Sequence, residues 1–469
     1  MTLPLPYETK LPERVGVLVL GSGLAGCAAL LAAAEAGQYA LLLEKTGEIG
    51  GSTVRSAGLS AFAGTDEQAA QGIGDSVELL RKDLLETGRH RCDERLVDLY
   101  CAHQLDTYHW LRSHGVQYGE VHAASGQSVP RSHPTDTTGM LVKLLRAAGR
   151  LGARVMTGTP ARRLLREGGR VVGVEVETAD GVQRVLADAV VLATGGFSQN
   201  AELLSRFAPQ MANALRAGGA GCEGDGLLMA WQLGAGVVDT PYIKGTYGHY
   251  FQPHPDEDGT GILAVYKGAV AVNREGRRFV DESLPYKEIG DAALVQPGTT
   301  TYQVFDAQVM ARSTDEVPIY EFAGRERAGM LVRADTVEEL ERDLGLPEGA
   351  LVATVEDYNA RIRAGEPDAV GRQHLSGGVG SPFPLDRPPF FAHPSGTVVL
   401  ATYCGLTVDT ELRVLDVFGE PIDRLYAAGE VIGGFHGAGY MTGTSIGKAG
   451  IFGRLAGTRA AAEESELEW

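Results

Sequence analysis

The sequence predicts an α/β fold: a Rossmann-like dinucleotide-binding domain in two sequence segments that flank an inserted α+β capping domain. Three observations carry this. A short apolar run at 15–20 leads into Gly21-Ser22-Gly23-Leu24-Ala25-Gly26 and then an alanine-rich stretch, the order strand, glycine turn, helix. Buried-strand runs that end in glycine turns recur far downstream, at 190–196 and 424–430. Between these, over about 240–390, Pro, Tyr, Phe and charged residues become frequent. The expected organisation is a nucleotide domain in two parts, 1–239 and 391–469, around a substrate domain at 240–390.

Along the chain, 15–20 reads as a buried strand, 27–36 as a helix stopped by Gly37, and 39–44 as a second buried strand ending in Glu44. Together they make a βαβ unit. Residues 137–151 read as a helix. Residues 170–177 and 182–186 alternate around Asp180-Gly181, a hairpin turn. A buried strand at 190–194 follows. An isolated helix is expected at 352–364 in the insert, and a last helix at 445–463, with a solvated acidic tail at 463–468.

Length and composition bound the rest. A chain of 469 residues is too long for one core, so two domains are the natural division. Hydrophobic content of 44% and charged content of 22% are ordinary for a soluble globular protein. The 42 basic against 60 acidic residues, net −18, argue against nucleic acid and anionic membrane surfaces as partners. No apolar run is long enough for a membrane span and no signal peptide is visible. Cys27, Cys92, Cys101, Cys222 and Cys404 include no Cys-x-x-Cys pair, which excludes a zinc ribbon or an attached c-type haem. The expectation is a cytoplasmic protein with reduced thiols and no metal site.

The glycine motif has a physical purpose at each position. Gly21 permits the tight turn, Gly23 lets the backbone approach a pyrophosphate at the positive end of a helix, and Gly26 allows close helix–strand packing. Glu44, 21 positions after Gly23, is placed to accept hydrogen bonds from ribose hydroxyls. The motif alone leaves NAD and FAD both open.

A longer stretch, Glu44-Lys45-Thr-Gly-Glu-Ile-Gly-Gly51-Ser52-Thr53-Val-Arg55-Ser56-Ala-Gly58, resembles the flavin-contacting segment of the fumarate reductase/succinate dehydrogenase flavoprotein superfamily. Ala193-Thr194-Gly195-Gly196, Gly224-Asp225-Gly226 and Ala428-Gly429-Glu430 resemble further signatures of it. The resemblance implies a glutathione-reductase-type nucleotide domain with bound FAD. It puts Glu430 near the ribityl chain and Ser52, Thr53 and Gly58 beside the isoalloxazine ring. Leu24, Ala25, Lys45, Gly51, Ser56, Ala193, Thr194, Gly195, Asp225, Gly429, Ser445 and Ile446 complete the implied cofactor set. Asp225 has an equal alternative as a helix N-cap. No histidine stands at 44–88, where covalent members attach their flavin, so the FAD is expected to be non-covalent.

Two segments depart from fumarate reductases. In Arg278-Phe279-Val-Asp281-Glu282-Ser-Leu-Pro285-Tyr286, Tyr286 takes the place of the proton-delivering arginine. In His436-Gly-Ala-Gly-Tyr440-Met441-Thr-Gly443, Tyr440 takes that of the carboxylate-binding arginine. Both departures are similar to the 3-ketosteroid Δ1-dehydrogenases and related cyclic-ketone desaturases, although Met441 stands where that branch has proline. A tyrosine pair suits a neutral ketone. Tyr440 hydroxyl and Gly443 N–H would polarise the carbonyl, and Tyr286 would remove the α-proton. Lys287 is a candidate for lowering the Tyr286 phenol's pKa. His436 is expected near flavin or substrate, and Tyr247, His249 and Tyr250 are candidate pocket residues. Arg55 reads as a surface arginine.

The reading is an FAD-dependent desaturase of a small-molecule cyclic ketone, a 3-oxosteroid or a smaller alicyclic ketone. A fumarate-reductase-like ene-reductase and a non-catalytic FAD electron-transfer protein are the alternatives. With no second nucleotide motif, the external electron acceptor is a quinone, oxygen or an electron-transfer protein.

Overall fold

The computed structural model describes residues 5–250, 261–315, 317–376 and 379–463, so most of the acidic tail lies outside the described residues. They fall in two compact units. One takes in the described residues within 1–208, 218–244 and 401–469; the other takes in those within 209–217 and 245–400.

The first unit is built on a mostly parallel sheet. Strand β1 (Arg14–Leu20) runs into helix α1 (Leu24–Glu35), which returns to β2 (Ala40–Leu43). β1 pairs in parallel with β2 on one side, Val17 opposite Ala40, and with β3 (Gly181–Leu192) on the other, Leu18 opposite Val190. β4 (Pro421–Ala427) extends β3, again in parallel. The C-terminal helix α2 (Thr444–Ala460) lies along α1. Central strands covered on both faces must be apolar throughout, which is why 15–20 and 40–43 show no alternation.

The hairpin at Asp180-Gly181 forms as expected, with Thr178 opposite Gly181. Its second arm and the buried run at 190–192 are one continuous strand, not the two that the sequence suggests. The first half of β3 pairs antiparallel with Arg170–Thr178 and is partly exposed. The second half pairs in parallel on both sides and is buried.

α1 and α2 approach closely because glycine faces the contact. A Cβ on Gly453 would meet Ala25 carbonyl oxygen, and one on Gly457 would meet that of Ala29. Gly457→Ala is therefore expected to destabilise the protein by about 1–3 kcal/mol through overpacking. Chemical denaturation checks this, and an unchanged midpoint contradicts it.

The second unit has a mixed sheet with neighbours in the order Ile243–Tyr250, Phe390–Thr402, Thr301–Asp306 and Val270–Asn273, the last three antiparallel and Leu215–Arg216 parallel to Phe390–Thr402. Its core includes Val270, Val304, Phe305, Phe322, Leu351 and Phe391. The helix Ala350–Ala364 packs through Leu351, Val355 and Tyr358, close to the predicted 352–364. Among the described residues no helix is long and apolar enough to cross a membrane.

Candidate active site

The β1–α1 turn is shaped by its own backbone. Gly21 has φ +103°, a region glycine enters freely, and a Cβ there would strike Ala193 carbonyl oxygen. A Cβ on Gly26 would strike Gly21 carbonyl oxygen. Gly23 differs: the nearest atom to its missing Cβ is Thr53 Oγ1 at 3.5 Å. Protein packing does not demand glycine there, whereas close approach of a phosphate does. Glu44, buried at the end of β2, accepts on Oε2 from Ser22 N–H (3.0 Å) and Ser22 hydroxyl (2.6 Å). Its Oε1 accepts from Thr46 N–H and hydroxyl, both at 2.8 Å. These donors fix the carboxylate's direction, and ribose hydroxyls would share its oxygens with them.

The implied flavin-contacting residues come together around this turn. Thr53 Oγ1 accepts from Leu24 N–H at 3.0 Å, tying 50–58 to the start of α1. Ser56 hydroxyl donates to Thr53 carbonyl oxygen at 2.7 Å and accepts from Gly58 N–H. Ser52 Oγ lies 3.2 Å from Cys222 Sγ and accepts from Gly219 N–H. Burial raises that Cys222 thiol to about 12, so it stays protonated. Gly429 approaches Ala25, and the Glu430 carboxylate accepts from Thr402 N–H at 2.9 Å. Thr194 Oγ1, after β3, is buried with no hydrogen-bond partner among the described residues, a donor and acceptor of the kind a ligand satisfies. Gly51 and Arg55 are exposed.

Asp225 is not the helix N-cap. Gly224 occupies that position at φ +86°, and Asp225 is the first residue of the helix Asp225–Trp231. Its carboxylate pairs with Lys45 Nζ at 2.6 Å, and Glu223 takes the same ammonium at 2.7 Å. Burial works against the Lys45 charge, but these bonds outweigh it and hold its pKa above the usual lysine value.

Tyr440 sits in the glycine-rich loop before α2. Its ring stacks on Tyr403 (centroids 6.1 Å apart, 21° between planes) and lies 5.4 Å from His436. His436 is buried, packed at 4.8 Å against both Tyr403 and Phe435. The loop glycines serve close approach: Cβ atoms on Gly437 and Gly439 would meet the backbone of Gly88 and Thr87. Gly443 caps α2 at φ +93°. Its N–H, like those of Ser445 and Ile446 in the first turn, donates to no atom among the described residues. Open amides at the positive end of a 17-residue helix suit a partly negative oxygen. A phenol and a row of amides thus stand on one short segment.

Tyr286 belongs to the second unit, as the half-buried first residue of the helix Tyr286–Leu294, after Pro285. Glu282, four residues earlier, is fully buried. It takes a two-pronged bond from Arg278 (2.8 and 2.6 Å), lies 3.6 Å from Arg372 and accepts from Ala271 N–H at 3.0 Å. Lys287, next to Tyr286 in sequence, pairs with Asp291 at 2.5 Å. Tyr247 is a core residue, 1% exposed, with its hydroxyl 3.0 Å from Thr301 Oγ1, rather than a pocket residue.

His249 and His393 are buried in the second unit, and Tyr250 packs on His393 at 5.6 Å. Burial first, with Arg325 adding to it, lowers His249 to about 4 and His393 to about 3. A folded pKa below the unfolded value means stability is present above about pH 6.5 and lost as pH falls through the folded values. Between pH 7 and 5 the loss should be about 2 kcal/mol for each histidine. Thermal unfolding across that range checks this, and a flat profile contradicts it.

Fold and site define a flavin-dependent oxidoreductase. A family model described as an FAD binding domain matches residues 16–446. The chain is 32% identical over 466 residues to a probable fumarate reductase of Shewanella frigidimarina, covering 96% of this chain and 75% of that protein. It is 33% identical over 472 residues to the urocanate reductase of Eggerthella lenta, covering 96% and 75%. A solved 3-ketosteroid-Δ4-(5α)-dehydrogenase of Rhodococcus jostii, in complex with 4-androstene-3,17-dione, matches with TM-score 0.77 and 28% identity over 98% of this chain and 100% of that one. The chain belongs to the FAD-binding family of the fumarate reductase/succinate dehydrogenase flavoprotein superfamily. Its cofactor is FAD.

Proposed function

We propose that the chain is a dehydrogenase that introduces a C=C bond α,β to a ring ketone, a 3-oxosteroid or a smaller alicyclic ketone such as cyclohexanone or an oxocyclohexane carboxylate. The observation that carries this is the neutral donor set of the Tyr440 segment: a phenol held by Tyr403 and His436, and the open Gly443 amide at the head of α2. Neutral donors match a carbonyl oxygen that becomes partly negative, whereas a dicarboxylate calls for arginine.

In this reading Tyr440 hydroxyl and Gly443 N–H donate to the ketone oxygen and acidify the α-carbon. Tyr286 takes the α-proton on its phenol oxygen. Glu282 and its arginines hold the segment that carries Tyr286. The FAD, when bound, supplies the acceptor for the hydride leaving the β-carbon. Gly21–Gly26 and Glu44 would hold its pyrophosphate and ribose. Thr194, Glu430 and the amides of Ser445 and Ile446 would meet the ribityl and ring end, without a covalent bond. The likeness to a ketosteroid dehydrogenase supports a ketone substrate.

A second reading is an ene-reductase of an unsaturated acid or enone, favoured by the fumarate and urocanate reductases among the relatives. Turnover measured in both directions separates the two. A dye acceptor should be reduced with saturated cyclic ketones, while fumarate and urocanate should not reoxidise a viologen donor. The opposite pattern gives the reductase reading.

A further inference from the structure

α2 carries a lysine where its packing calls for an apolar residue. Lys448, the fifth residue of the helix, is 2% exposed, and Ile446, Gly447, Gly450 and Ile451 around it are buried too. Its ammonium donates to Ile432 carbonyl oxygen at 3.3 Å and lies 5.8 Å from the Phe435 ring centroid. It forms no ion pair among the described residues. Such a site is expensive: three donors share one long bond, and the positive end of α2 repels a second positive charge. A methionine would fill the volume without that cost, so the charge itself has a use.

The surroundings say what the use is. Ile432 directly follows the Gly429–Val431 turn that presents Glu430, and the open amides of Gly443, Ser445 and Ile446 lie at the head of the same helix. These two segments are the ones the proposed function assigns to the ribityl and ring end of the flavin. We propose that Lys448 is a positioning charge that sets how readily the bound flavin is reduced. Reduction by hydride adds negative charge to the ring system, and a cation fixed in a dry interior favours the reduced state without reorganising. Burial lowers its pKa to about 8 against the pull of Glu430 and Asp239, which leaves the ammonium charged at neutral pH. The proposal rests on the flavin placement given under the proposed function.

The test compares wild type with Lys448→Met and Lys448→Gln, each purified with its FAD. The measurements are FAD content, thermal unfolding of the apoprotein and the flavin reduction equilibrium against a reference dye. Both neutral variants should keep stoichiometric FAD and apoprotein stability equal to or above wild type. Their reduction equilibrium should shift at least tenfold toward oxidised flavin, about 30 mV for a two-electron couple. Loaded variants with the wild-type equilibrium overturn the role of Lys448 while leaving the flavin site intact. Variants that are less stable and lose FAD, with an unchanged equilibrium in the loaded fraction, overturn it in favour of packing. Wild-type protein that takes up no FAD overturns the placement beneath it.

Discussion

Tyr440→Phe should reduce ketone turnover by about a hundred- to a thousandfold, the usual loss when one donor to a developing oxyanion is removed. Phenylalanine keeps the ring on Tyr403 and against His436, so the loop, FAD content and unfolding temperature should hold. The loss should fall on kcat, because the phenol's bond strengthens as the ketone oxygen gains charge. A variant with wild-type kcat would remove Tyr440 from the chemistry and leave it as packing. In this account the open amides of α2 would set the floor of residual activity.

Glu282→Gln carries the second large effect, this time on stability. The carboxylate lies fully buried among Arg278, Arg372 and Ala271 N–H, and Arg278 also reaches Asp368 at 2.6 Å. A neutral amide of the same shape leaves the buried Arg278 guanidinium with Asp368, and that of Arg372 with the carbonyl oxygens of Val265, Ala269 and His374. Breaking such a cluster costs about 3–5 kcal/mol. Because Glu282 ties the chain just before Tyr286 to the strand Val270–Asn273, turnover should fall with stability even where FAD remains bound. Urea unfolding of the variant measures the first effect, and a loss under about 1 kcal/mol would mean the cluster is solvated and weak.

What the sequence made legible follows from which constraints are local. The β1–α1 turn announces itself within six residues, and a Cβ on Gly21 or Gly26 would strike the carbonyl oxygen of Ala193 or Gly21. The Asp180-Gly181 turn specifies its own hairpin register. β3 was harder, because its partners change halfway along the strand and the exposure pattern changes with them. Side-chain partners distant in sequence were not legible. Nothing around Tyr403 in the sequence marks it as the platform for Tyr440. Lys287 adjoins Tyr286 in sequence, and its ion pair with Asp291 one turn later is a contact the sequence reading does not include. For Asp225 the sequence leaves a cofactor contact and a helix N-cap equally open, and the structure puts Gly224, with a left-handed backbone, in the cap position.

Anaerobic mixing of the FAD-loaded protein with saturated cyclic ketones, steroid and monocyclic, tests the central claim most directly through the flavin absorbance. Fast bleaching by one ketone, abolished in Tyr286→Phe, is the result the two-tyrosine account predicts. An absorbance unmoved by every ketone, with reoxidation of the pre-reduced protein by an unsaturated acid, would contradict it.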